Sequence, residues 1–322
     1  MTPSVEFLDV HKRYGAQPVL RGVSFAIARG EIVGLLGPNG CGKTTTLRLI
    51  AGFLSPDAGE VRVCGETVGS DSLAARRRIG YLPEKPPLYD ALRVRDYLDF
   101  VAAAKGLRGA ARPAGVERAM NDFALASVSR KIIGTLSKGY RQRVGLAQAT
   151  LADPEVLLLD EATNGLDALQ IVEARALIRA GSQGRAVLFC SHLMQEVAAL
   201  CGRVLVLHEG RPVELGEASP TPRFELRVAG LSIADAQRLL GAVPGVSDAE
   251  YAAADGVVSF HCNGSTPLVA DALARVATAH GQLLSLQAQR ASLEDRFIAA
   301  MQREGRAQTA NAGADASARA TP

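Results

Sequence analysis

Residues 37–44 read Gly37-Pro38-Asn39-Gly40-Cys41-Gly42-Lys43-Thr44 and match the pattern G-x-x-x-x-G-K-[ST]. The apolar stretch 31–36 before them predicts a strand, and residues 44–52 have helical spacing that ends at Gly52. Between a strand and a helix, this pattern predicts a phosphate-binding loop, because glycines expose backbone N–H groups and a helix start is electropositive. Lys43 would pair with phosphate oxygens, and the Thr44 hydroxyl could ligate Mg²⁺.

A second chemical signal lies further along the chain, where four aliphatic residues at 156–159 precede Asp160 and Glu161. Such a run predicts a strand buried on both faces of a parallel sheet, and these sheets bind ligands at the carboxyl ends of their strands. Asp160 would hold the metal, directly or through water. Glu161, one residue further along, would point in a different direction from Asp160 and could act as general base on the attacking water.

Strand-like and helix-like stretches alternate up to about residue 217, which predicts an α/β layered domain at 1–217. After Pro220 and Pro222 the pattern changes to the order β-α-β-β-α-β, typical of a small ferredoxin-like α+β domain at 218–303. Residues 304–322 contain no large apolar side chain, so we expect a disordered tail.

Composition excludes several classes of protein. The 322 residues are 48% hydrophobic and 21% charged, an ordinary globular mixture, and the net charge of +3 argues against nucleic-acid binding as the main function. The five cysteines are odd in number and form no CxxC pair, which fits neither a disulfide framework nor a zinc site. No apolar run approaches the roughly 18 residues of a membrane-spanning helix, so we do not expect the chain to cross a bilayer alone.

The stretch LSKGYRQRVGLAQA at 136–149 resembles the LSGGQ signature segment of the nucleotide-binding subunits of ABC transporters. The resemblance covers about residues 4–217 and includes several motifs in the family's order. It implies the P-loop NTPase cassette, with a mixed β-subdomain, a parallel-sheet core and a helical subdomain. It also implies ATP and Mg²⁺ as cofactors, and two cassettes that enclose two ATP molecules. Ser137 and Gly139 would then meet the γ-phosphate bound by the opposite subunit.

The resemblance implies roles for further positions. Tyr14 is similar to the aromatic residue that stacks on adenine, and His192 to the switch histidine that contacts the γ-phosphate. Asp167 resembles the D-loop residue at the dimer seam, although it could also be a helix N-cap. Glu84 stands where the family's Q-loop usually has glutamine, and its carboxylate keeps an oxygen ligand for Mg²⁺ or water. The nucleotide-binding prediction comprises Tyr14, Gly37, Pro38, Asn39, Gly40, Cys41, Gly42, Lys43, Thr44, Thr45, Ser137, Gly139 and Asp167; the metal prediction comprises Thr44, Glu84 and Asp160; the catalytic prediction comprises Glu84, Glu161 and His192.

Cys41 occupies a free position of the phosphate loop beside a helix start. Its location predicts a lowered thiol pKa and leads to the hypothesis that alkylation blocks nucleotide binding. The alternative is a small side chain that fills a gap and does not react.

An ATPase of this type needs a separate permease, so the resemblance implies a homodimer or pseudo-dimer on the cytoplasmic face of a membrane protein. Three features look most like exporter subunits of the drug, gliding-motility and polysaccharide type: the segment at 79–100, the LSKGYRQR sequence within the signature segment, and the small C-terminal domain. Subunits of a copper-maturation type are similar too. Alternatives are a soluble ABC-type ATPase that drives a conformational change in a non-membrane complex, and a P-loop kinase. The C-terminal domain could sense a ligand or stabilise the dimer. The transported substrate is not encoded here, because the residues that select it would lie in the permease.

Overall fold

The computed structural model describes residues 2–69, 72–213, 215, 223–230, 232, 234–235, 238, 247–254, 257–263, 282–289, 293–294, 296–298 and 300–301. The chain separates into two compact units, Met1–Glu214 and Leu215–Pro322. The two helices of the predicted β-α-β-β-α-β order fall at 233–240 and 268–279. The second of them, most of the first and the predicted tail at 304–322 lie outside the described residues.

Strands and helices alternate along the first unit. Its elements are β1 (Val5–Tyr14), β2 (Gln17–Ile27), β3 (Ile32–Leu36), α1 (Lys43–Ile50), β4 (Ala58–Val63), β5 (Glu66–Thr67), α2 (Leu73–Arg77), β6 (Ile79–Leu82), α3 (Val94–Ala104), α4 (Ala111–Asp122), α5 (Lys138–Thr150), β7 (Val156–Asp160), α6 (Ala168–Gly181), β8 (Ala186–Ser191), α7 (Met194–Leu200), β9 (Arg203–His208) and β10 (Arg211–Val213). None of the helices among the described residues combines the length and the apolar character needed to cross a bilayer.

Four strands form an antiparallel sheet in the order β2-β1-β4-β5. The apolar pattern of the first strand ends at Val10 in the sequence, but pairing with β2 continues to Tyr14, which lies opposite Gln17. The turn that follows uses Gly15 at a φ of 58°, a left-handed conformation that glycine adopts without strain. This extension leaves Tyr14 at the end of the strand, where 46% of its surface is exposed.

The second sheet has the order β10-β9-β3-β8-β7-β6, and all its pairs are parallel except β10 with β9. Every residue of β7 and β8 is buried, as expected for strands that are covered on both faces. The register places Leu36 beside Ser191, and Asp160 beside Cys190. The loops that follow β3, β7 and β8 therefore begin at one edge of the sheet, where ligands bind in this class of fold.

Helix α5 packs closely on the edge strand β6. A Cβ atom built on Gly80 would lie 2.2 Å from the backbone oxygen of Ala149, so only glycine allows this approach. Gln148 strengthens the contact, because its Nε2 donates to the backbone oxygen of Tyr81 at 2.9 Å. The last turn of α5, the helix whose start carries the signature segment, is thereby joined to the parallel sheet.

Helix α4 begins at Ala111, four residues before Gly115, where the helical spacing of apolar residues begins in the sequence. Pro113 lies in its first turn, where the missing N–H group is not needed. Nε of Arg112 donates to Oδ1 of Asp99 on α3 at 2.7 Å. The early start of α4 is therefore stabilised by a contact with another helix, which local spacing does not reveal.

The second unit contains β11 (Arg223–Ala229), β12 (Ser247–Ala254), β13 (Val257–Asn263) and β14 (Gln282–Gln289) in the order β12-β13-β11-β14. Both β11 and β12 run antiparallel to β13, which lies between them. The first two strands are therefore parallel to each other with one strand inserted, which is the split arrangement that the sequence order predicted.

An ion pair between α6 and α7 makes a prediction about stability. Arg175 binds both carboxylate oxygens of Glu196, at 3.0 and 2.5 Å, and Glu196 is only 3% exposed. Arg175→Ala leaves this carboxylate buried without its partner, so we expect a loss of about 3 kcal/mol in the free energy of unfolding. Urea unfolding of the full chain measures it, with Arg95→Ala as the control, because Arg95 pairs with Glu117 at the surface and should cost less than about 1 kcal/mol. Equal losses would contradict the assigned role of burial.

Candidate active site

The loop between β3 and α1 is shaped by glycines that no other residue could replace. A Cβ atom on Gly37 would lie 2.3 Å from the backbone oxygen of Leu207, and one on Gly42 would lie 2.6 Å from Cδ2 of Leu20. Gly42 also has a φ of 113° at the start of α1, a conformation open almost only to glycine. The loop is thus held tightly between β9 and β2, and it presents the electropositive start of α1.

The Lys43 side chain lies within this loop and is 7% exposed. Its Nζ donates to the backbone oxygens of Gly37 at 2.6 Å and Pro38 at 3.1 Å. These two carbonyls hold the ammonium group over the loop. A positive charge held in this position can pair with phosphate oxygens that approach the loop N–H groups.

Thr44 and Asp160 connect the loop to the end of β7. The Thr44 hydroxyl donates to Oδ2 of Asp160 at 3.1 Å, although the residues lie 116 positions apart. The pKa of Asp160 is raised to about 6. Burial is the main cause and the carboxylates of Glu161 and Glu84 add to it, while the Thr44 hydrogen bond and Lys43 act in the opposite direction. A buried carboxylate beside two others is a position where a cation is stabilising.

Glu161 follows β7 in a strained conformation, with a φ of 50°. Its backbone N–H donates to the oxygen of Cys190 at 2.9 Å, which ties the turn to β8. Its carboxylate Oε2 lies 2.9 Å from Nδ1 of His192, the first residue after β8. Two of the three residues predicted to act in catalysis are therefore in direct contact, and the carboxylate can accept an N–H from the imidazole.

One open cavity of about 310 Å³ brings most of the predicted residues together. It is lined by Tyr14, Val19, Asn39, Gly40, Gly42, Lys43, Thr44, Thr45, Glu84, Asp160 and Glu161. Val19 belongs to no sequence motif, and it reaches the cavity because β2 passes beside the loop. The cavity thus combines an exposed aromatic ring, a cationic loop and three carboxylates.

Ser137 and Gly139 do not line this cavity. They line a separate hollow of about 220 Å³ between α5 and α6, together with Gln142 and Arg143. Ser137 is the N-cap of α5, and its hydroxyl accepts from the N–H of Tyr140 at 3.5 Å. Asp167 caps α6 in the same way, accepting from the N–H of Gln170 at 2.9 Å. The helix N-cap that was the alternative prediction for Asp167 is therefore present.

The expectation of a lowered pKa for Cys41 is wrong in direction. Burial raises the pKa of the Cys41 thiol, and the opposing effect of the Lys43 ammonium group is smaller. The thiol is 6% exposed, and its Sγ would lie 2.6 Å from a Cβ atom on Gly37, so it fills the space under the loop. Burial by tertiary packing therefore affects the pKa of this thiol more than the electropositive helix start does.

This correction predicts slow alkylation of Cys41. In the folded chain we expect iodoacetamide to modify Cys41 at least about tenfold more slowly than in the urea-unfolded chain, because the thiolate is both rare and covered. Mass spectrometry of tryptic peptides at pH 8 measures both rates. Equal rates in the two states would restore the original expectation. Whether modification blocks nucleotide binding stays a prediction.

Residues 20–164 match the family described as ABC transporter. The Nod factor export ATP-binding protein I of Burkholderia orbicola is 38% identical over 228 residues, which cover 70% of this chain and 73% of that protein. The chain belongs to the ABC transporter family. A relative of the same name from Ralstonia nicotianae is 33% identical over 316 residues, covering 95% of this chain and 96% of that protein.

Solved ABC proteins have the same fold. The ATP-binding subunit of an ABC transporter superimposes with a TM-score of 0.60 at 29% identity, covering 74% of this chain and 94% of that one. CbiO1 of Clostridium perfringens, part of the ABC transporter complex cbiONQ, gives a TM-score of 0.62 at 26% identity, covering 66% and 88%. The predicted cassette fold is confirmed, and the chain is an ATP-binding ATPase subunit of an ABC transporter.

Proposed function

We propose that two copies of this chain hydrolyse ATP to drive a separate membrane permease that exports its substrate. The observation that carries the proposal is that the two elements expected to bind phosphate lie apart from each other within one chain. The cavity at Lys43 and the helix start at Ser137 belong to different surfaces of one chain. A second copy would supply its own Ser137 and Gly139 to the triphosphate, so ATP would stabilise a closed pair through contacts that exist only there.

The residues around the cavity have distinct roles in this proposal. Tyr14 stacks on the adenine ring, and the loop N–H groups with Lys43 bind the phosphates. Glu161 accepts a proton from the water that attacks the γ-phosphorus, while the bond to the β-phosphate oxygen breaks and ADP leaves. His192 lies against Glu161 and orients its carboxylate.

The donor set also fits Mg²⁺. Among the described residues, no three His, Cys, Asp or Glu side chains are grouped so that they could hold a metal by themselves. Magnesium at nucleotides needs fewer, because it takes one or two protein oxygens and completes its shell with phosphate and water. The Thr44 hydroxyl and Asp160 would hold the ion, with Glu84 at the same cavity. Bound there, Mg²⁺ would neutralise charge on the phosphates.

Export is the direction that the relatives support, since several of them are named as Nod factor export ATP-binding proteins. They are transporter subunits, which disfavours a soluble complex as the partner.

We propose that the chain divides into a cassette at 1–217, a small α+β domain at 218–303 and a tail at 304–322. With a permease as partner, the chain would lie at the cytoplasmic face of the membrane without crossing it.

Co-purification with the membrane protein encoded beside this chain tests the proposal. We expect a complex that hydrolyses ATP, and we expect the Glu161→Gln chain to sediment as a dimer when ATP and Mg²⁺ are present and as a monomer without them. A chain that stays monomeric with saturating ATP, Mg²⁺ and its permease would refute the shared site.

A further inference from the structure

The end of β1 is paired irregularly with its neighbouring strands. Pairing with β4 ends at His11. Pairing with β2 continues further, but its register shifts between Val10 and Lys12 and again between Lys12 and Arg13. Such irregularities disrupt the hydrogen-bond ladder between two strands. The sheet by itself therefore leaves the end of β1 incompletely held, and this is the end from which Tyr14 reaches the nucleotide cavity.

The carboxylate of Asp57 takes the place of a strand partner at this point. Asp57 lies in the loop between α1 and β4. Its Oδ2 accepts the backbone N–H of Arg13 at 2.7 Å, and its Oδ1 accepts a hydrogen bond from Nζ of Lys12 at 2.7 Å. Its own backbone N–H donates to the oxygen of His11 at 2.9 Å. One residue thus binds three consecutive residues of β1, directly before Tyr14.

Two further hydrogen bonds extend this connection. Nζ of Lys12 also donates to the backbone oxygen of Ser55 at 2.8 Å, so the ammonium group binds the α1–β4 loop at two positions. Across the turn that follows β1, the Arg13 guanidinium group donates to the backbone oxygen of Ala16 at 3.2 Å. The Lys12 ammonium group and the Arg13 N–H lower the pKa of the Asp57 carboxyl group, which is therefore charged at neutral pH.

The ring of Tyr14 depends on this backbone for its position. Tyr14 is 46% exposed, so contacts with other side chains hold the ring only in part. The direction in which the ring leaves the strand is then set by the residues directly before it, which Asp57 binds. Asp57 itself does not line the cavity.

We propose that Asp57 is a positioning residue that places the Tyr14 ring at the cavity and thereby strengthens binding of the adenine base. The inference rests on the proposed function, because that function assigns the Tyr14 ring to adenine. A residue outside the cavity would then contribute to the recognition of the base without touching the nucleotide.

The affinities for ATP and for inorganic triphosphate separate the base from the phosphates. Stacking of a base on an aromatic ring corresponds to about 5- to 150-fold in affinity. We expect Tyr14→Ala to weaken ATP binding about tenfold, and Asp57→Ala about threefold, because the latter keeps the ring but places it less well. Neither substitution should change the affinity for triphosphate, which has no base. Displacement of a fluorescent ATP analogue from the full-length chain, with Mg²⁺ chelated to prevent hydrolysis, measures both affinities.

A double variant tests whether the two residues act as one unit. The chain with Tyr14→Ala and Asp57→Ala should bind ATP as Tyr14→Ala alone does, because Asp57 acts only through the ring. Glu60→Ala is the matched control. The Glu60 carboxylate also accepts two hydrogen bonds, from Arg62 and Thr67, but Glu60 pairs with the middle of β1 and not with its end. This control should bind ATP with the parental affinity.

A second substitution at the same position guards against a general loss of structure. The side-chain oxygen of Asp57→Asn can still accept the N–H of Arg13, whereas the ion pair with Lys12 is lost. Asp57→Asn should therefore bind ATP with an affinity between those of the parent and Asp57→Ala. The unfolding midpoint of each variant checks the fold.

Several results would overturn the inference. Equal losses of affinity for ATP and triphosphate in Asp57→Ala would show that the substitution disturbs the phosphate site and not the ring. Independent losses in the double variant would show that Asp57 does not act through Tyr14. Parental ATP affinity in Tyr14→Ala would refute the proposed stacking itself, whereas a loss in Tyr14→Ala with none in Asp57→Ala would refute the positioning role alone.

Discussion

Glu161→Gln should bind ATP with the parental affinity, and its rate of ATP hydrolysis should fall by about 10²–10⁴-fold, the usual contribution of a positioned general base. The amide cannot accept the proton from the attacking water, yet it preserves the size of the side chain beside His192. The nucleotide-binding groups are untouched, so the closed dimer should accumulate. Steady-state phosphate release and the sedimentation of the ATP-bound chain measure the two effects.

The matched control is Glu209→Gln. Glu209 directly follows the parallel strand β9, as Glu161 follows β7, and its φ of 48° is close to that of Glu161. Glu209 does not line the nucleotide cavity. The control should therefore hydrolyse ATP at the parental rate. Parental turnover in Glu161→Gln would show that another group accepts the proton.

Lys43→Ala should weaken ATP binding by at least about 100-fold. Each charge-assisted hydrogen bond contributes about 1.5–3 kcal/mol, and the Lys43 ammonium group can reach more than one phosphate oxygen. The fold should survive, because the two partners of Lys43 are carbonyls of its own loop. Equilibrium titration with a fluorescent ATP analogue measures the affinity, and the unfolding midpoint checks the fold.

Lys85→Ala controls for a general loss of positive charge, because Lys85 is exposed, adjoins Glu84 and does not line the cavity. It should bind the analogue normally. Equal affinity in Lys43→Ala and the parent would remove Lys43 from the binding site, whereas equal losses in both variants would indicate a long-range effect of net charge.

Local sequence determined the parts of this protein that depend on contiguous residues. The phosphate loop occupies eight consecutive positions between a strand and a helix, and its glycines are required by the backbone itself. The buried strand before Asp160 follows from an unbroken aliphatic run, and the cap at Ser137 from a hydroxyl at a helix start. These features rest on periodicity and backbone conformation, which neighbouring residues set.

Tertiary structure decided what depends on distant partners. The Thr44–Asp160 hydrogen bond and the Glu161–His192 contact exist because β3, β7 and β8 end at one edge of the sheet. Packing also reversed the expected pKa shift of Cys41, since the extent of burial cannot be read from a helix start. Proton affinity and long-range contacts depend on which surfaces meet when the sheet assembles, and no single segment of the chain encodes that order.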